Sequence, residues 1–395
     1  MKIKLLIVLI ILFCSCSRKG TIESRKSEIP MVIDLLSEPE SEITRLSDIS
    51  TNVQYFPLQT TKNSLIGSID KVVKWGNRIY IKNSYSEILC FDEKGNFIFK
   101  LNKTGSGPGE YKYIADFDIS SDNKTLIVLS NGKILIFNIN DNEFKFEKSI
   151  NLKSPFPSKI DFLPETNNIL ISIDPMTGLE ISLTLLIDFN GDTILLKPNY
   201  YRFEKKDKLI RGMANESLHY KFGKVLCFKE EFCDTVYFVD KELNSFLPRL
   251  IIDSNGKGIS PIVRYDSEYA RNHGNQIYWV KSVMEMPRFV FYTYEHNMSR
   301  YKVLYDKSNK RKFKMAYIDA LKDDIIGGPS LDISFCSEDK AYCFVDVLKL
   351  KKYTNSNDFL NAKVKDNHKK QDLKTISELL NETDNPILVV ITLKK

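Results

Sequence analysis

At 395 residues with 43% hydrophobic side chains, the chain carries enough apolar surface for one large core or two ordinary ones. Its formal charge of +6 is concentrated near the start, where Lys2, Lys4, Arg18, Lys19, Arg25 and Lys26 lie. The remainder is close to neutral, which excludes the basic footprint of a nucleic-acid-binding protein.

Lys2 and Lys4 are followed by an unbroken apolar run over residues 5–13, then Cys14, Ser15 and Cys16. The run fits the ~7–15-residue core of a secretory signal and falls short of the ~20 residues that span a bilayer. Small Ser15 before Cys16 suits cleavage there, whereas Phe13 before Cys14 does not. The pattern resembles bacterial lipoprotein signals, which implies acylation of Cys16 and a membrane anchor; the alternative is an ordinary cleaved signal with Cys16 a chance residue. Residues 1–16 are thus the expected signal peptide and residues 17–50 a tether with an N-terminal extension. Surface display in related bacteria is marked by acidic residues after the lipid cysteine. Here Arg18 and Lys19 follow it, so an outer-membrane lipoprotein facing the periplasm is expected.

Residues 51–395 form the folded domain. From Val53 to Tyr317 short β-rich runs alternate with turn clusters, with scarcely any helical periodicity. Strands are expected at 78–82, 88–91 and 97–101, then at 115–120, 125–129, 133–138 and 144–150. Later units span 159–196, 224–252 and 277–317, and a last one begins at Leu331. The third strand and its turn recur as LCFDEKGN (89–96), ILIFNINDN (134–142), LLIDFNGD (185–192) and VLYDKSN (303–309). The first three recur near the ~40–50-residue period of a propeller blade. An all-β propeller of six blades follows, with seven as the alternative. The strongly β-forming run 386–393 is expected to pair with VQYFPL at 53–58, closing the ring. Between 355 and 383, Phe359, Leu360, Val364, Leu373, Ile376, Leu379 and Leu380 recur at helical spacing, predicting a small helical insertion.

Of the cysteines outside the signal, Cys90 reads as a buried small hydrophobe. Cys336 and Cys343 are offset too far for a bridge across their hairpin. A three-residue loop would set Cys227 and Cys233 opposite each other, leaving a cross-strand disulfide or two buried thiols as the alternatives.

The stretch IGSIDKVVKWGNRIYIKNSYSEILCFDEKGNFIFKLNKTGSGPGEY (66–111) resembles the six-bladed β-propeller lipoproteins of gut and oral Bacteroidetes, themselves similar to NHL-repeat propellers. FCDTVYFVD (232–240), YDKSNK (305–310) and DNPILVVITLKK (384–395) support the likeness over nearly the whole mature chain. The resemblance implies a lipid-anchored propeller, generally without assigned activity.

The glycine-rich segment 105–111 lacks the Lys-Ser/Thr and helix start of a phosphate loop, so it reads as an inter-blade linker. None of His219, His273, His296 and His368 stands at metal-ligand spacing, and Gly-x-Ser-x-Gly is missing. No catalytic residue, metal or other cofactor is therefore assigned. Ligand contacts are expected where the blade pattern is interrupted, at 201–222 and 262–288. Arg211, His219, Tyr220, Trp279 and Arg288 are the candidate ligand face. The leading reading is a noncatalytic envelope module that binds a small molecule, glycan or envelope protein, in sensing or envelope assembly. Its rivals are a channel-centred hydrolase or lyase and a structural subunit of an outer-membrane complex.

Overall fold

The recurrent strand groups fold as antiparallel meanders because residues tolerant of a left-handed backbone sit between short β-forming runs. Asn131 (φ 49°) and Gly132 (φ 72°) make a two-residue turn that sets Ser130 opposite Lys133. A computed structural model describes residues 29–84, 86–140, 142–205, 216–316 and 321–395.

Six small sheets result. From inner to outer strand, blade I comprises Ile69–Trp75, Arg78–Asn83, Glu87–Asp92 and Phe97–Asn102. Blade II comprises Asp116–Ile119, Thr125–Ser130, Lys133–Asn140 and Glu143–Asn151. Blade III follows with Pro157–Phe162, Ile169–Ile173, Ser182–Ile187 and Thr193–Pro198. Blade IV has Leu218–Phe222, Val225–Lys229, Thr235–Asp240 and Ser245–Asp253, and blade V has Trp279–Glu285, Phe289–His296, Ser299–Asp306 and Arg311–Met315. Blade VI is composite: Phe335–Ser337, Lys340–Val345 and Ile387–Leu393 are completed by Ser50–Pro57 from the other end of the chain. The chain is a six-bladed β-propeller.

A lone four-stranded sheet leaves both faces wet, and the ring cures this at six seams. Tyr80 and Phe117 share the cluster between blades I and II, Ile136 and Ile171 that between II and III, and Leu170 and Phe228 that between III and IV. Val236 and Tyr292 share the next seam, Phe291 and Val389 the one after, and Leu388 with Phe91 completes the circuit. The closing pair is in register from Ile387 opposite Pro57 to Thr392 opposite Asn52.

The segment assigned to the N-terminal extension takes part in the propeller from Met31 onward. Met31–Asp34 lies parallel to residues 250–253 as a fifth strand of blade IV, and Ser41–Glu42 pairs with Phe313 and Lys314 of blade V. The glycine-rich linker joins blades I and II as expected. Its Gly107 N–H donates to Glu110 Oε2 (2.8 Å), and at Gly109 (φ +75°) a Cβ would stand 2.5 Å from the Phe146 ring.

Two helical features differ from the sequence reading. The insertion starts at Val347 rather than 355, with helices Val347–Thr354, Asn357–Asn361 and Asn367–Leu379 capped by Asp346, Ser356 and Asp366. The VLKLKKYT run of its first helix alternates like a strand in part, which hides the 3.6 period. The connection between blades IV and V also contains short helices Ile262–Tyr265 and Ser267–His273 and the 3₁₀ turn Gly274–Gln276, too brief to show a period. Among the described residues no helix is long and apolar enough to cross a membrane.

All five described cysteines are free thiols. The loop after Lys229 is longer than three residues, so Cys227 faces Phe238 rather than Cys233. Burial pushes the Cys227 thiol up to about 12, as befits an inert core group.

Candidate functional site

The six inner strands enclose a central channel of about 1470 Å³. Every blade contributes to its wall, for example Lys71, Asp118, Asp161, His219, Ser282 and Phe335 in blade order. Inner strands have exposed edges, and the neighbouring blade satisfies them. Asp116 Oδ2 accepts the N–H of Ile160 (2.8 Å), and Asp118 Oδ2 accepts that of Phe162 (2.7 Å).

These carboxylates anchor an ionic wall across blades I to IV. Lys71 Nζ lies 2.9 Å from Asp116 Oδ1 and 3.5 Å from Asp161 Oδ1, while Lys221 Nζ lies 2.6 Å from Asp118 Oδ2 and over the Trp75 ring. Burial opposes charge on all of these groups, and the outcome differs with the company each keeps. For Lys71, desolvation is outweighed by Asp116, Asp161 and Asp118, which raise its ammonium above the ordinary lysine value. Against the same penalty, Lys71 and the hydrogen bond from His219 hold Asp161 below the carboxylate range. Asp118 goes up, because desolvation and the nearby Asp161 exceed what Lys221 and Lys71 return. The opposite wall mixes hydroxyl, aromatic and charged groups: Ser282 Oγ and Thr293 Oγ1 are 2.7 Å apart, Tyr294 and Lys281 also line it, and Lys302 pairs with Asp332.

His219 Nδ1 lies 2.7 Å from Asp161 Oδ2 and its Nε2 lies 2.7 Å from Ser172 Oγ. The spacing matches a Ser-His-Asp relay. Ser172, however, sits on the second strand of blade III, is only 1% exposed and does not line the channel. A molecule in the channel meets His219 and Asp161 without meeting the serine oxygen, so the trio acts as a strut between blades III and IV.

A second ionic cluster occupies the face where the chain passes from blade to blade. Arg264, 1% exposed, pairs with Glu231 (2.8 Å) and with Glu216, and Asp174 stands nearby. Two carboxylates pair with one guanidinium in a dry corner, and the third lies within its field. Burial, then Glu216, lifts Asp174 to about 6, and burial outweighs Arg264 to lift Glu231 to about 7. Among the described residues no three His, Cys, Asp or Glu side chains are placed to hold a metal ion.

The five candidate ligand residues are dispersed. His219 and Trp279 line the channel. Tyr220 is also among the channel-lining residues, but it packs against the seam between blades IV and V and its hydroxyl donates to Glu285 (3.1 Å). Arg288 lies in the hairpin at the far end of the Trp279–Glu285 strand, on the opposite face, where it pairs with Asp306 (2.7 Å). Arg211 lies outside the described residues. The sequence reading missed Lys71, Asp116, Asp118, Asp161 and Lys221. Their signal is a charged residue, often two apart, within the first strand of four successive meanders: KVVKW, DFDI, KIDF and HYKF.

The family described as DUF4934, a domain of unknown function, matches residues 30–392. The chain belongs to this family. Among solved structures it is similar to a protein described as exported from Bacteroides fragilis, at TM-score 0.66 and 22% identity over 93% of this chain and 99% of that one. A member of the DUF4221 family from Bacteroides vulgatus follows at TM-score 0.49 and 12% identity, over 87% and 97% of the two chains. At these identities the likeness concerns the fold. No curated protein matches the chain.

Proposed function

We propose that this DUF4934 protein is a noncatalytic, lipid-anchored binding module of the cell envelope that captures a polar small molecule or glycan at its channel, serving sensing or envelope assembly. The observation that carries this reading is the pairing of Lys71, Lys221 and His219 with Asp116, Asp118 and Asp161. These groups are held by one another as fixed donors and acceptors facing a roomy channel, with Ser282 and Thr293 on the far side. Such preorganisation lowers the ordering cost of binding a polar ligand. Calorimetric titration of the purified protein with defined oligosaccharides and muropeptides is expected to give saturable binding that weakens at least tenfold in the Ser282→Ala/Thr293→Ala double variant.

The Ser172–His219–Asp161 spacing favours the hydrolase as a second reading, and it has its own test. A fluorophosphonate probe is expected to leave Ser172 unmodified in the native protein, since that oxygen is buried. Stoichiometric labelling there, lost in Ser172→Ala, would replace the binding reading with a catalytic one.

Anchoring rests on Cys16 and the signal before it, and a periplasm-facing outer-membrane site on the basic residues that follow. Replacing Cys16 by Ala is expected to move the protein from the membrane to the soluble envelope fraction. Unchanged fractionation would remove the lipid from this account.

A further inference from the structure

A propeller closes its ring but leaves the outermost strand of each blade with one unpaired edge, a template on which another strand can build. Five blades blunt that edge. Met31–Asp34 covers blade IV and Ser41–Glu42 covers blade V. On blade II the outer strand exposes charged Glu143, Lys145 and Glu147, and on blade VI it exposes polar Thr51 and Gln54. On blade I the Gln59 side chain accepts the Phe97 N–H (2.9 Å), and Lys100 pairs with Glu87.

Blade III has none of these devices. Among the described residues no strand lies beyond Thr193–Pro198, and that strand exposes Ile194 and Leu196. Its one charge, Lys197, is turned into the seam with blade IV, where Nζ lies 2.6 Å from Glu230 Oε2. Just past the strand, the Asn199 N–H donates to the Ile181 carbonyl and Arg202 Nη2 to that of Leu179 (both 2.9 Å). These bonds gather Leu179, Ile181 and Tyr200, between 63% and 76% exposed, at the end of the same edge. Monomeric proteins seldom leave so many large apolar side chains to water on one element.

We propose that this edge pairs with the same edge of a second copy, joining two propellers as a two-fold dimer through one continuous sheet. Met31–Asp34 shows that the fold accepts a short apolar extended segment at a blade edge. Charge selects a second copy as the occupant. Antiparallel pairing about Leu195 sets Ile194 of each copy opposite Leu196 of the other and brings no like charges together, because Lys197 already answers Glu230. The free run before Pro198, which has no N–H to offer, is five residues long, so the contact belongs among the weaker interfaces.

Full-length protein in mild detergent is expected to sediment as a monomer–dimer equilibrium with a dissociation constant of about 1–100 µM. Lysine is a residue with which natural sheets guard an edge, and Ile194→Lys/Leu196→Lys is expected to weaken the dimer at least tenfold. Leu360→Lys, which changes a more exposed leucine on the helical insertion, is expected to leave it intact. In native envelopes, where no detergent competes for the patch, a short bis-maleimide is expected to capture Leu196→Cys as a dimer and Leu360→Cys as a monomer. Monomers in both assays overturn the proposal and leave the edge to a different protein. A dimer that survives the two lysines, or that Leu360→Lys breaks equally, overturns it as well. Should the double lysine variant fail to fold by near-ultraviolet circular dichroism, the cross-linking pair decides. Neither readout depends on ligand binding, so the result stands apart from the binding reading above.

Discussion

A chain ending at Asn385 is expected not to reach a cooperatively folded state. Residues 387–393 form the strand of blade VI between Lys340–Val345 and Ser50–Pro57, and it is the hydrogen-bonded link between the two ends of the ring. Ile387, Leu388, Val389 and Ile391 are completely buried there, while Val390 and Leu393 are nearly so. At roughly 1.5–3 kcal/mol for each buried aliphatic side chain, the lost burial reaches about 10 kcal/mol, comparable to the whole ~5–15 kcal/mol stability of a folded domain. Equilibrium urea unfolding and near-ultraviolet circular dichroism give the measurement. A truncated protein with a native spectrum and an unchanged midpoint would refute closure through blade VI. Val389→Asp tests the same strand with one atom-scale change, because it places an unpaired carboxylate between blades V and VI.

Arg264→Met is expected to destabilise the protein by about 3–5 kcal/mol at pH 8, the usual consequence of stripping the partner from buried charges. Glu216, Glu231 and Asp174 then lose the Arg264 guanidinium that Glu216 and Glu231 pair with. The sign of the pH dependence follows from the native carboxyls. Glu231 and Asp174 titrate near about 7 and about 6 in the folded protein, against ordinary values of 4.5 and 3.8. The folded state therefore binds more protons than the unfolded chain over that window. This corner is most favourable below about pH 4 and loses stability as pH rises to about 7. Without Arg264 both carboxyls shift further upward, so a substantial part of the lost stability is expected to return at pH 5. Urea midpoints of both proteins at pH 5 and pH 8 are the test. A loss of equal size at both pH values would show that Arg264 serves through packing and not through its charge.

Other features of the chain were legible to different degrees. The meanders could be read directly because a strand and its turn are local chemistry: β-branched and aromatic runs, then Asn-Gly or Asp-x-x-Gly. Ring closure was legible for a related reason, since the run at 387–393 has no partner in its own neighbourhood. The helices at 262–276 were hidden by their brevity, and the start of the insertion by the resemblance of VLKLKKYT to a strand. The channel wall was hidden for a different reason. Lys71, Asp118 and Asp161 each look like the solvent side of an alternating strand, and only the ring turns that side inward.

The sequence by itself determined the β-meander, its repetition and the pairing of the chain's two ends, because these depend on residues within a few positions of one another or on one unmistakably β-forming run. Only the tertiary structure decided which charges are buried together. It brought Lys71 to Asp161 and His219 to Ser172, and it set Arg288 on the face opposite Trp279. The physical reason is that blade rotation about the common axis, which no local pattern encodes, fixes whether a polar side chain meets water, a partner or the channel.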